Sequence, residues 1–181
     1  EGGADVYTRK VRSRQAGGTL MGVAGAFVCK IKESGQDEHG LGRWSYVCLR
    51  GTDGKDTYII TAYRVSQDSN SSGETTAHKQ QVRLLRKMNI ENPKPREQWC
   101  TDMERQTTAW IEQGSNVLLM CDANSPLNDA GFAKFVAKSK LYDLIGSKHG
   151  MGSPPTYLRG SKTIDYLLGT YDIATASTES G

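Results

Sequence analysis

The chain has little that would hold it together covalently or around a metal cage. Its four cysteines, Cys29, Cys48, Cys100 and Cys121, stand in 181 residues with no Cys-x-x-Cys spacing. That pattern speaks against a disulfide framework or a zinc ribbon and predicts buried free thiols in a reducing compartment. No apolar run approaches the roughly 20 residues that span a bilayer, and the first residues lack a signal peptide's apolar core. The expectation is therefore a soluble, intracellular protein with no membrane partner. Charge of one sign is also missing: the net charge is +3 with 24% charged residues, which permits a polyanionic partner without demanding one. There is no internal repeat. What remains, 36% hydrophobic, is the composition of one globular domain.

Residues 1–16 read as an irregular lead-in whose Arg9, Lys10, Arg12 and Arg14 are solvated. Residues 19–31 are apolar and β-rich with glycine interruptions and predict a strand. A polar loop over 34–42 follows, then two alternating runs, 43–50 and 56–64, joined by Gly51-Thr52-Asp53-Gly54, predict a hairpin. Residues 75–87 read as an exposed helix. In 96–113 the residues Trp99, Met103 and Trp110 fall on one helical stripe, which places them in the core beneath a sheet. Strand 116–122, helix 128–140, a short apolar piece over 141–145 and strand 163–168 complete the domain, and 171–181 reads as an irregular tail. Antiparallel strands mixed with helices predict an α+β fold of layered sheets and helices.

The stretch that organises the chain is Val117-Leu118-Leu119-Met120-Cys121-Asp122-Ala123-Asn124-Ser125-Pro126. It reads as a buried strand that delivers Asp122 and Asn124 to its C-terminal end. Residues two apart in a strand point the same way, so a carboxylate and a carboxamide share one pocket, suited to holding a water or a phosphate oxygen. On Asp-x-Asn alone, a plain Asx-type turn is the better reading. Two further strand ends carry polar residues that packing does not ask for, Tyr63-Arg64 and Asp165.

Taken in order, Gly17-Gly18-Thr19, Gly42-Arg43-Trp44-Ser45, Ile59-Ile60-Thr61-Ala62-Tyr63-Arg64, Gln80-Gln81-x-Arg83-Leu84-Leu85, Asp122-Ala123-Asn124 and Arg159-Gly160-Ser161-x-x-Ile164-Asp165-Tyr166 resemble the endonuclease/exonuclease/phosphatase superfamily. These are the DNase-I-like and apurinic-endonuclease-like phosphodiesterases, and the motif order is most similar to a branch of retroelement-type endonucleases. The resemblance runs over residues 17–170. It implies two mixed, mostly antiparallel sheets flanked by helices, and a metal-dependent hydrolase acting on nucleic-acid phosphodiesters. Three family features have no counterpart here: the first strand, with an Asn at the catalytic centre, the second strand, with the main metal-binding Glu, and the Ser-Asp-His motif. The resemblance thus implies a domain incomplete at both ends, inactive by itself and completed by other segments of a larger polypeptide or complex. His39, His78 and His149 do not replace the missing histidine by motif.

Carried over motif by motif, the resemblance implies that Asp122 activates or orients the attacking water and that Asn124 hydrogen-bonds the phosphate. Tyr63 would reach the phosphate through its hydroxyl, and Asp165 would orient the catalytic histidine. Arg64, Arg159 and Ser161 would contact the substrate. Mg²⁺, or Mn²⁺, would serve the complete domain, with weak binding or none by these residues. Two other readings stay open: a non-catalytic scaffold of the same fold that binds nucleic acid or protein, and a phosphatase acting on a small phosphate ester or lipid headgroup.

Overall fold

A computed structural model of the chain describes residues 18–51, 54–67, 76–150, 155–156 and 160–179. One six-stranded sheet runs through it, built from β1 (Ile31–Gln36), β2 (Trp44–Leu49), β3 (Thr57–Tyr63), β4 (Asn116–Asp122), β5 (Tyr142–Asp143) and β6 (Asp165–Gly169) in the spatial order β1-β2-β3-β4-β6-β5. The β3/β4 pair is parallel and the rest are antiparallel. Among the described residues five α-helices accompany it: α1 (Ala77–Lys87), α2 (Pro95–Glu112), α3 (Ala130–Lys138), α4 (Leu144–His149) and α5 (Tyr171–Glu179). The α+β architecture is as expected. Among the described residues there is one sheet, not the two that the resemblance implies.

The core lies on one face of the sheet. Ile60, Ala62, Val117, Leu119, Cys121, Tyr166 and Leu168 point into it and meet Trp99, Met103 and Trp110 of α2 and Phe132 and Phe135 of α3. The expected helical stripe is therefore the packed one: Trp99 and Met103 are wholly buried and Trp110 nearly so. Trp110 stacks on Tyr58 with ring centroids 4.1 Å apart, and Trp99 meets Phe135 edge-on at 5.4 Å. Such contacts add to the ~25 cal/mol per Å² that apolar burial supplies.

Two expected segments differ. The strand expected over 19–31 is absent: residues 18–24 are irregular, Gly25–Lys30 is a 3-10 helix, and β1 begins at Ile31. The apolar run does not pack, since Leu20, Phe27 and Val28 are exposed. β1 instead starts at the last residue of the expected strand and runs into 34–36, which read as loop, where it pairs with β2. Its Gly35 pairs opposite Tyr46, and a Cβ there would come within 2.6 Å of the tyrosine ring. The tail expected to be irregular carries α5, whose first turn is set when Ala174 N–H donates to Thr170 O, 2.9 Å, and whose Ile173 lies against Gly169. The 141–145 piece divides into β5 and the start of α4, where Asp143 caps by accepting from Gly146 N–H, 3.1 Å.

Candidate active site

Strand register brings three of the expected site residues into one row. Tyr63 at the end of β3 pairs with Asp122 at the end of β4, and Asp122 pairs with Asp165 at the start of β6. Directly paired residues share a face, and their chain neighbours Ala62, Cys121 and Tyr166 are buried in the core. The row thus stands on the face away from α2, at one edge of the sheet, and all three residues are half-buried.

Asn124 joins them through a turn. Its backbone is left-handed, with φ of 48°, a conformation that Asn tolerates better than most residues. Asn124 N–H donates to Asp122 Oδ1 at 3.1 Å, and Asn124 Nδ2 donates to Arg64 O at 2.8 Å. The Asx turn and the site are therefore the same object. On the other side, Ile164 N–H and Asp165 N–H both donate to Thr156 Oγ1, at 3.0 and 3.1 Å, while Ala123 N–H donates to Ile164 O, 2.9 Å. The Tyr166 hydroxyl lies 2.8 Å from Thr163 O and 3.3 Å from Ser125 O and so joins the two loops from beneath.

Electrostatics in the row favour a base. Burial, reinforced by the neighbouring Asp165 charge, raises Asp122 above the ordinary carboxylate range, against the hydrogen bonds from Asn124. Burial and then the Asp122 charge raise the Tyr63 hydroxyl, against its bonds to Ser66 and Asn124. Tyr63 is thus neutral, a donor for an anionic oxygen, and Asp122 is a stronger base than a solvated carboxylate.

Arg64 overturns its expected role as a phosphate contact. Alternation turns it to the core side, where it is 3% exposed. Its guanidinium donates to Ser125 Oγ at 2.7 Å, Ala123 O at 3.5 Å, Arg96 O at 3.3 Å and Asp129 Oδ1 at 3.4 Å, over the ring of Phe132. Arg96 adds bonds to Val65 O, 2.7 Å, and Asn124 O, 3.3 Å. The buried Arg64 and the partly buried Arg96 therefore hold the loop that carries Asn124. Asp129, which caps α3 through Phe132 N–H at 3.0 Å, supplies the counter-charge. Of these, the cap had a local signal in the sequence, an acidic residue at the start of a helical run. Ser161 is exposed beside Gly160 and Lys162, and Arg159 lies outside the described residues.

Oxygen donors of this kind suit a hard divalent cation. Asp122 and Asp165 could contribute carboxylate ligands, with Asn124 held beside them. A second group, Glu38, His39 and Asp102, places its donor atoms within 4.8 Å of one another. Its carboxylates are already engaged by guanidinium groups: Asp102 accepts from Arg43 Nη1 at 2.8 Å, and Glu38 pairs with Arg105. It serves as an ion-pair tie between the β1–β2 connection and α2.

No family model and no curated protein matches the chain. Solved structures do. The 3′ phosphatase NExo from Neisseria, bound to a product DNA hairpin, superposes with a TM-score of 0.55 at 13% identity, covering 80% of this chain and 60% of that one. An AP endonuclease from Archaeoglobus fulgidus gives 0.52 at 12% identity with the same coverages. The fold is the DNase-I-like fold. The chain spans about half the length of the first four solved structures it matches, from 42% to 60%. Within the DNase-I-like frame, Tyr63, Asp122, Asn124 and Asp165 come together, whereas Arg64 turns away from them. No helix among the described residues is long and apolar enough to cross a membrane.

Proposed function

We propose that this chain is the middle of a divalent-metal-dependent phosphodiesterase domain, an endonuclease acting on nucleic acid. The observation that carries this reading is the cross-strand row Tyr63–Asp122–Asp165 with Asn124 beside it. Such a row combines a strengthened base, a neutral donor and a carboxamide on one pocket wall, which is what in-line attack of water on a phosphodiester requires. Asp122 takes the proton of the attacking water, and Tyr63 and Asn124 donate hydrogen bonds to phosphate oxygens. Asp165 orients a histidine that other polypeptide supplies, much as a triad carboxylate does. A bound Mg²⁺ or Mn²⁺ would neutralise charge on the phosphate, with its main carboxylate ligand likewise from outside these residues. Nucleic acid is the favoured substrate because the motif order resembles the retroelement-type branch.

The half-covered face of the sheet supports further polypeptide packing there. Ile59, Leu118 and Leu167 are partly buried on that face, and Met120, at the centre of the sheet, is 39% exposed. The test is cleavage by the complete polypeptide of labelled DNA and RNA, with a small phosphate ester and phospholipid as alternative substrates, in Mg²⁺ or Mn²⁺. Nucleic-acid cleavage lost in Asp122→Asn is expected. Turnover of the small ester or lipid alone would replace this reading with a phosphatase, and no turnover of any substrate would leave a binding scaffold.

A further inference from the structure

A cavity of about 610 Å³ lies between the loop that follows β4, the start of α4 and the residues that lead into β6. None of Tyr63, Asp122, Asn124 and Asp165 lines it. It is nonetheless their neighbour. Tyr166 in its lining follows Asp165 directly and turns to the core face, and Leu127 in its lining is three residues past Asn124. Three residues reach at most about 10 Å along an extended chain. The volume falls in the range of roughly 300–1,000 Å³ that holds small organic ligands.

Its polar groups are of two opposite kinds. Oxygens from the start of α4 accept. Ser147 donates its hydroxyl hydrogen to Asp143 O at 2.6 Å, so its Oγ has only lone pairs left to offer. Asp143 accepts from Gly146 N–H at 3.1 Å through Oδ1. Its Oδ2 lies where a Cβ on residue 146 would collide with it, and no hydrogen bond among the described residues occupies it. The other kind is a cation, the exposed Lys162. Apolar surface comes from Leu127 and from Tyr166, whose hydroxyl lies 2.8 Å from Thr163 O and 3.3 Å from Ser125 O. Burial, opposed by a backbone bond from Leu127 and reinforced by the Asp143 and Asp165 charges, pushes that hydroxyl up to about 12. Tyr166 is therefore neutral, and with its hydroxyl engaged it has its ring to offer a ligand.

We infer that this cavity is a binding site for one unpaired guanine of the nucleic-acid strand that passes the Tyr63–Asp122–Asp165 row. The inference rests on the nuclease reading for its partner class. A cavity with a cation, a free carboxylate oxygen and an apolar wall matches guanine part by part. The O6 and N7 of that base accept from a lysine. Its N1–H and N2–H₂ are adjacent donors for a carboxylate, and its flat face takes the apolar contact. Adenine would turn an amino group toward Lys162 and a bare ring nitrogen toward Asp143. Thymine has one N–H where guanine has two neighbouring donors. Unpaired bases are commonly read in this way, splayed out, stacked on an aromatic ring and hydrogen-bonded along their edges.

The experiment measures fluorescence anisotropy of labelled thymine strands carrying one central guanine, adenine or hypoxanthine, with the complete polypeptide in EDTA so that cleavage plays no part. The guanine strand is expected to bind roughly 5- to 100-fold more tightly than the adenine strand. Hypoxanthine, which lacks the 2-amino group, should bind roughly tenfold more weakly than guanine. Asp143→Asn keeps a good helix cap but sets an amide N–H₂ against the 2-amino group, and it should erase the preference for guanine over hypoxanthine. Lys162→Gln changes an exposed side chain that the fold does not need, and it should narrow the preference for guanine over adenine. Equal affinity for the three strands, no binding of any strand, or a guanine preference unchanged in both variants would overturn the pocket. Cleavage lost in Asp122→Asn would still decide the nuclease reading by itself. Competition by 5′-GMP as strong as by the guanine strand would give the cavity to a free nucleotide and remove the strand from it.

Discussion

Replacing Arg64 with Met separates a buried clamp from a substrate contact. The guanidinium is 3% exposed and holds Ser125 Oγ, Ala123 O, Arg96 O and Asp129. Removing one partner of a buried ion pair costs about 3–5 kcal/mol. Asp129 is 34% exposed and keeps both the Phe132 N–H and the more distant Arg96, which lowers the figure. Methionine fills most of the volume over Phe132, so the cavity contribution is small. A loss of roughly 2–4 kcal/mol follows, read as a fall in Tm of about 5–15 °C for a domain of this size. Acid sensitivity adds a second signature. Although burial raises it, Asp129 is held low overall by the Phe132 N–H, Arg64 and Arg96. A depressed carboxylate stabilises the fold above its unfolded pKa, and that stability is lost as pH falls through the folded one; Arg64→Met should shrink this acid-side loss. Urea unfolding from pH 7 to pH 3, with exposed Lys134→Met as control, makes the measurement. A cost within about 0.5 kcal/mol, as for an ordinary surface residue, would refute the clamp.

Asp122→Asn should unfold at a higher temperature than the parent at pH 7. A carboxylate whose folded pKa is raised destabilises the fold as pH rises above its unfolded pKa, so the advantage should vanish below the ordinary carboxylate range; a variant less stable than the parent at pH 7 would contradict the strained-base reading. Asn124→Ala loses the bond to Arg64 O and strains a left-handed backbone, and in the complete polypeptide it should lower turnover roughly 10²–10³-fold, measured as kcat on a labelled oligonucleotide. By calorimetry the 181-residue chain should bind Mg²⁺ in the millimolar range or undetectably, because one or two carboxylates seldom anchor that ion alone; tight stoichiometric binding would show a ligand set different from Asp122 and Asp165.

The Trp99, Met103 and Trp110 stripe was legible in the sequence because a helical period is a local signal, and the strand ends at Tyr63, Asp122 and Asp165 were legible through alternation. Strand alternation also held the clue to Arg64, which must face away from Tyr63. The first strand was not legible. Apolar content over 19–31 suggested it, yet the strand is Ile31–Gln36, paired with β2 and fitting Gly35 opposite the Tyr46 ring, a partner that lies across the sheet. Arg96 and Asp129 meet Arg64 from helices 32 and 65 residues further along the chain, a distance that no local pattern reports.

The claim that Asp122 and Asp165 belong to one reacting centre is tested most directly by a double-mutant cycle. Cleavage of a labelled nucleic acid in Mg²⁺ would be measured for the complete polypeptide, for Asp122→Asn, for Asp165→Asn and for the double variant. Residues that act as a unit lose activity non-additively. Asp122→Asn should cost about 10²–10⁴-fold, and the double variant should be within a few-fold of the weaker single one. Losses that multiply, or an Asp122→Asn variant that cleaves at the parent rate, would contradict a shared site.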